Sequence, residues 1–266
     1  MRRFALLLAV AAAALAPAAA HAADPLASAY AKTAAAKTFR TVMTGKVAAG
    51  PIDIPFTATG ETDSASGVSH WDFDLSQAAR SLGVAPASLR PEIVVETKPP
   101  VMFVRWPLLA RSFRTTKPWV KLDLAKLARS QPQLGQLSQL QQGTDVGSAL
   151  RLARLASGPV RTVGSETIRG EAATHYKTTV DYRKLAQTLP STARKALVQA
   201  GARKAPLDLW VDGDGYLRRI AYSYAALSQG TPIKTSTTFE FYDFGAPVSV
   251  KLPAAAQVGE PAGLGG

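Results

Sequence analysis

Asp212-Gly213-Asp214-Gly215 separates two strand-like runs, 207–211 and 216–225, and this arrangement recurs along the chain. A Gly/Asp tetrad between alternating apolar runs marks a tight β-turn. Runs at 38–47 and 52–59 flank Ala48-Ala49-Gly50-Pro51, and runs at 160–168 and 172–182 flank Arg169-Gly170-Glu171. Further strands are expected at 68–75, 91–96, 101–106, 119–122 and 233–244. Links this short suit antiparallel neighbours, because parallel strands need long crossovers. Helices are expected at 24–37, 124–129, 145–155 and 183–200, with one or two helical turns at 76–82. They are too few and too clustered for a doubly wound α/β fold. The fold class is therefore α+β: one large curved antiparallel sheet with a few helices on one face.

The first residues carry an export pattern. Arg2 and Arg3 precede an unbroken apolar run over 4–15, and Ala20-His21-Ala22 offers small residues at a cleavage site. This reads as a secretory signal peptide over 1–22, cut after Ala22. The apolar run is shorter than the roughly 20 residues a membrane span requires. The sequence then divides into a single domain over 23–253 and a flexible Gly/Pro-rich tail over 254–266. Removing the signal leaves 244 residues, enough for one sizeable core.

The chain contains no cysteine, so it folds without disulfides and has no lipidated Cys at the cleavage site. It contains no asparagine and much alanine, which suits a GC-rich bacterial genome. The mature net charge is about +10. Outside a cell that charge favours an anionic membrane or cell-wall polymer as a peripheral partner, or simply maintains solubility. Nucleic acid is disfavoured by export and by the scattered placement of Lys and Arg.

No residue set predicts catalysis. Ser69 and His70 are strand neighbours and point to opposite faces. No Gly-x-Ser-x-Gly elbow occurs. Asp72 and Asp74 share a strand face, as a glycosidase pair would, but solvation of alternating Asp on an edge strand is much the better explanation. His70 and His175 lie far apart without Cys partners, so no metal site is expected, and each is read as satisfying hydrogen bonds within the sheet. The Asp212 tetrad opens like a calcium loop, but the twelfth position is Ser223 rather than Glu. No phosphate loop or dinucleotide fingerprint appears, and no cofactor is expected.

Aromatic and branched residues at period 2 remain. Phe73, Val104, Ile220, Tyr222, Phe239 and Phe241 are candidates for the sheet face beneath the helices. Sequence leaves open whether they fill a solid core or line a hollow.

Several stretches, in order, resemble the actinobacterial LppX/LprA/LprF/LprG-type lipoproteins, a LolA-like family. They are Lys117-Pro118-Trp119-Val120-Lys121-Leu122-Asp123-Leu124, Gly164-Ser165-Glu166 leading to Arg169-Gly170, and Thr174-His175-Tyr176. Val180-Asp181, Leu209-Trp210-Val211-Asp212 and Phe241-Tyr242-Asp243-Phe244-Gly245 complete the set. The resemblance implies a half-barrel whose concave face is covered by helices, with a cavity holding the acyl chains of a lipid or glycolipid. The six residues above would then line that cavity. The chain departs from the pattern in lacking the lipobox cysteine, so tethering by that route is not expected. The function implied is that of an exported, non-catalytic carrier of lipid or another amphiphile. The alternative is an envelope protein-interaction or sensing module on the same scaffold.

Overall fold

In a computed structural model of the protein, the described residues are 25–50, 52–79, 83–123, 126, 159–181, 183, 187, 204–228 and 231–260. The expected signal peptide and the expected helices over 124–129, 145–155 and 183–200 lie essentially outside them.

Helix α1 (Pro25–Ala34) begins on a proline, which suits the first helical turn because its missing N–H would have no intrahelical partner there. Six strands follow as a meander: β1 (Thr38–Ala49), β2 (Ile52–Asp63), β3 (Val68–Asp74), β4 (Glu92–Glu96), β5 (Val101–Arg105) and β6 (Trp119–Asp123). Five more form a second meander: β7 (Arg161–Ile168), β8 (Glu171–Asp181), β9 (Lys204–Asp212), β10 (Leu217–Ser228) and β11 (Thr231–Tyr242). The two meanders join along β1 and β11, paired antiparallel from Arg40↔Tyr242 to Ala49↔Ile233. With a two-residue strand β12 (Val258–Gly259), the result is one 12-stranded sheet in the order β12-β6-β5-β4-β3-β2-β1-β11-β10-β9-β8-β7. The turn between β7 and β8 has Arg169 and Gly170 at φ 50° and 88°, the left-handed pair that a two-residue hairpin turn requires.

Three features differ from the sequence reading. Pro107–Ser112 forms a short helix, α2, where no element was expected; Pro107 starts it and Trp106 precedes it in extended backbone. Pro86–Leu89 forms a 3-10 turn that was not expected either, whereas the turn at Ser76–Ala78 agrees with the one or two helical turns expected from 76. The stretch expected to be a flexible tail from 254 onward contains a 3-10 turn, Ala255–Gln257, and strand β12 (Val258–Gly259). β12 pairs parallel with β6 through Val258↔Trp119 and Gly259↔Val120. The added backbone pairing and a Lys117 Nζ donation to the Ala256 carbonyl (2.7 Å) tie this segment down.

Alternation along the registered strands sorts the side chains onto two faces. On the inner face one row runs Phe73–Ala58–Met43–Phe239–Ile220–Leu209–Tyr176 across seven strands. Met43, Leu209, Ile220, Phe239 and Phe241 are fully buried there. Burial of each such side chain contributes about 1.5–3 kcal/mol. Helix α1 covers one end of this face with Leu26 and Ala29. Its anchor is polar: the Leu217 backbone N–H donates to Thr33 Oγ1 at 2.9 Å in a buried setting. Lys32 Nζ donates to the Asp214 carbonyl and lies 4.4 Å from the Tyr216 ring centre. Farther along the same face, Val95, Met102, Val104, Val120 and Leu122 form a second cluster under α2, which contributes Leu109, Ala110 and Phe113.

The outer face is ionic. Arg219 pairs with Glu240 (2.7 Å) and Glu166 (3.3 Å), Arg169 with Glu240 (3.0 Å), and Arg40 with both Glu61 and Asp243 (2.9 Å each). An apolar patch of Val68, Val94, Val101, Phe103 and Trp119 on that face is covered by Val250 and Val258 of the C-terminal segment.

Candidate functional site

Among the described residues, the paired strands put no charge on the inner face of the sheet. Register and alternation place every Asp, Glu, Lys and Arg of β1–β9 and β11 on the outer face, as well as Arg219 of β10. Arg218 sits at the β10 bulge and bonds Asp212. The inner surface is therefore a continuous apolar and hydroxyl-bearing sheet, the lining an apolar ligand requires.

The structure brings five of the six candidate residues together. Ile220, Phe239 and Phe241 are core members of one cluster, and Phe73 and Tyr222 pack against it half-buried. Val104 does not join them; it lies on the same face but in the cluster under α2. Periodicity could not separate these positions, because it fixes the face of a strand and not its place in the strand order. Ile220, Phe239 and Phe241 each expose 0% of their surface, so no water-sized space reaches them and in this state they are packed core. Phe239 and Phe241 are parallel to within 6° at a centroid distance of 6.2 Å, and Phe39 meets Phe241 edge-on.

The more open part of the inner face lies on β2–β4 and β10. Phe56, Phe73, Ile93 and Tyr222 are only partly buried there, around a floor of Ala58, Met43 and Gly45. Two glycines set the depth of this floor. A Cβ on Gly45 would stand 2.4 Å from Phe56 Cζ, and one on Gly60 would stand 2.6 Å from Trp71 Cε3. Each glycine is the direct cross-strand partner of its aromatic residue, so the ring lies flat over bare backbone. These contacts, with Leu207, Leu209 and Met43, were absent from the sequence reading. The alternation of Phe39, Thr41 and Met43 carried the signal, but only the β1–β11 register shows that Met43 faces Phe239.

Both histidines sit on the outer face and take part in sheet hydrogen bonding, as expected. His175 is buried, stacks on Trp210 at 4.1 Å and 10°, and bonds Asp208 through Nε2 at 2.7 Å. Its Nδ1 lies 3.6 Å from Glu166. With one nitrogen engaged and one ring face covered by indole, it is a structural contact. His70 Nε2 lies 2.9 Å from Glu92. His70, Asp72 and Glu92 hold their donor atoms within 4.8 Å of one another, but Arg105 already pairs with Glu92, which makes this an ion-pair cluster. A shallow cavity of about 350 Å³ opens on the outer face, bordered by Thr44, Asp208, Ala221, Ser223, Ser236 and Thr238. It lies across the sheet from the apolar surface.

No family model matches the chain. An uncharacterised 31.2 kDa protein of Streptomyces griseus, encoded in the rplA–rplJ intergenic region, is 30% identical over 153 residues. The match covers 53% of this chain and 47% of that protein, so the chain spans about half the length of the curated relative it matches. Among solved structures, the lipoprotein LppX of Mycobacterium tuberculosis aligns with a TM-score of 0.50 at 12% identity, covering 85% of this chain and 96% of LppX. LprF of Mycobacterium bovis aligns with a TM-score of 0.47 at 14% identity, covering 87% of this chain and 96% of LprF. The fold is thus a LolA-like half-barrel: a large open antiparallel sheet with few helices. Its fold is similar to that of LppX.

Proposed function

We propose that the chain is an exported, non-catalytic carrier that holds the acyl part of a lipid or other amphiphile against the inner face of its sheet. The observation that carries this reading is the segregation of charge. Ten strands place all their ionic side chains outward, as β10 does Arg219, while the inner face of the sheet stays uncharged and, around Phe56, Phe73, Ile93 and Tyr222, incompletely packed. A protein that only needed a solid core would have no use for a half-buried aromatic surface at its centre. Export is supported by Arg2, Arg3, the apolar run that follows and Ala20-His21-Ala22. The LppX-type fold and the stretches resembling that lipoprotein family support the same ligand class.

Magnitudes set the ligand's size. Each buried methylene contributes about 0.8 kcal/mol. Ten contribute about 8 kcal/mol, which lies within the roughly 4–15 kcal/mol that association costs and leaves little surplus. A long chain, or more than one, is therefore needed for tight binding. Because Ile220, Phe239 and Phe241 are packed solid, the ligand rests on the half-open aromatic surface, with the core as a rigid floor beneath it.

The test is titration with an acyl-chain probe whose fluorescence rises in a dry site. Wild-type protein is expected to bind it saturably. Tyr222→Arg, which places a charge on the inner face, and Phe73→Ser are expected to weaken binding at least tenfold while circular dichroism stays native. Unchanged binding in both folded variants, or none in the wild type, contradicts the proposal.

A further inference from the structure

Among the described residues strand β7 ends the sheet, and its exposed edge carries two features that fit one partner. Among the described residues, three large hydrophobic side chains stand exposed, and two of them belong to this edge: Val160 at 39% and Val163 at 53%. A bare edge strand is a template for another strand, and an edge kept free of partners usually avoids exposed valines. β7 also has a bulge: Thr162 pairs with Tyr176 and Gly164 with His175, leaving Val163 without a partner on β8.

The geometry points to a second copy of the chain as the occupant, with β7 pairing antiparallel to β7 about a two-fold axis between Val163 and Gly164. In that register Arg161 of each copy lies opposite Glu166 of the other, and Thr162 lies opposite Ser165. The bulge makes the register self-consistent. Arg161 and Glu166 both sit on the outer face, opposite Lys177 and Ala173 of β8. Thr162 and Ser165 both sit on the inner face, opposite Tyr176 and Thr174. Without the extra residue, an odd-centred pairing would set outer residues against inner ones, since faces alternate at every position. With it, two identical ion pairs form on one face and two hydroxyl pairs on the other. Val163 falls opposite Gly164, where a Cβ would meet nothing within 4 Å. A self-complementary contact of this kind closes as a dimer and does not propagate.

The inference is independent of ligand binding and is tested on the full mature protein. Sedimentation equilibrium from micromolar to millimolar concentration is expected to show a reversible monomer–dimer equilibrium. Arg161→Glu is expected to raise the dissociation constant at least tenfold, and Arg161→Glu with Glu166→Arg to restore dimerisation. Because the chain has no cysteine, Thr162→Cys with Ser165→Cys offers a direct report. Three positions apart on one strand, these two are too distant to bridge within a chain, so oxidation is expected to yield a covalent dimer. A protein that stays monomeric at every concentration and gives no crosslinked dimer overturns the proposal. A dimer indifferent to Arg161→Glu also overturns it.

Discussion

The indole of Trp71 lies over the backbone of Gly60, its cross-strand partner, so closely that a Cβ at position 60 would stand 2.6 Å from the ring. The contact lets a large aromatic residue lie flat on the inner face, where it is 2% exposed. A methyl group there forces the ring to swing into the neighbouring core, and overpacking of this sort costs about 1–3 kcal/mol. Gly60→Ala is therefore expected to lower the free energy of unfolding in urea by that amount, with a matching fall in the midpoint. Trp71→Leu in the Gly60→Ala background is expected to recover part of the loss, and the double-mutant cycle measures the coupling.

Thr33 joins α1 to the sheet. Its hydroxyl accepts the buried N–H of Leu217, a bond that spans the two ends of the chain. Thr33→Ala leaves that N–H without its partner at an expected cost of about 1–3 kcal/mol, whereas Thr33→Ser retains the oxygen and costs less. Equilibrium denaturation distinguishes the two. Amide exchange at Leu217 is expected to quicken in the alanine variant alone.

Much of this architecture is legible in the chain, and the limits have a physical cause. The turns at 169–170 and 212–215 fix their hairpins because only certain residues adopt left-handed backbone. Alternation then fixes the face, which is why Ile220 with Tyr222 and Phe239 with Phe241 were grouped together. Strand order is different. The β1–β11 pairing joins residues about two hundred positions apart, and no local pattern encodes it. Alternation alone consequently groups Val104 with Ile220, although six strand-to-strand steps separate β5 from β10. The C-terminal segment reads as a tail because its Gly, Pro and Ala have little strand propensity. The edge of β6 and the apolar patch around Phe103 order it through tertiary contact.

Acid stability has a specific contributor in Asp74. The Ser76 hydroxyl and backbone N–H, the latter at 2.8 Å, hold its carboxyl below the usual carboxylate range, and Arg90 at 3.0 Å adds to the effect. A carboxyl depressed on folding stabilises the protein above its unfolded value, and that stabilisation is lost as pH falls through the lower folded value. The window therefore lies below about pH 4. Asp74→Asn is expected to be less stable than wild type at neutral pH and to converge on it in acid. Thermal melts from pH 7 down to about 2 trace both curves. A constant difference across that range would contradict the assignment.

On the proposed function, the uncharged inner face receives an amphiphile's acyl chains. The most direct measurement is native mass spectrometry of the mature protein purified from a bacterial envelope without detergent, followed by solvent extraction of whatever it carries. The account predicts a bound population heavier than the polypeptide by the mass of an acyl-bearing molecule, released on unfolding and much reduced in Tyr222→Arg. Folded wild-type protein recovered repeatedly at the bare polypeptide mass, from an envelope rich in lipid, would contradict it.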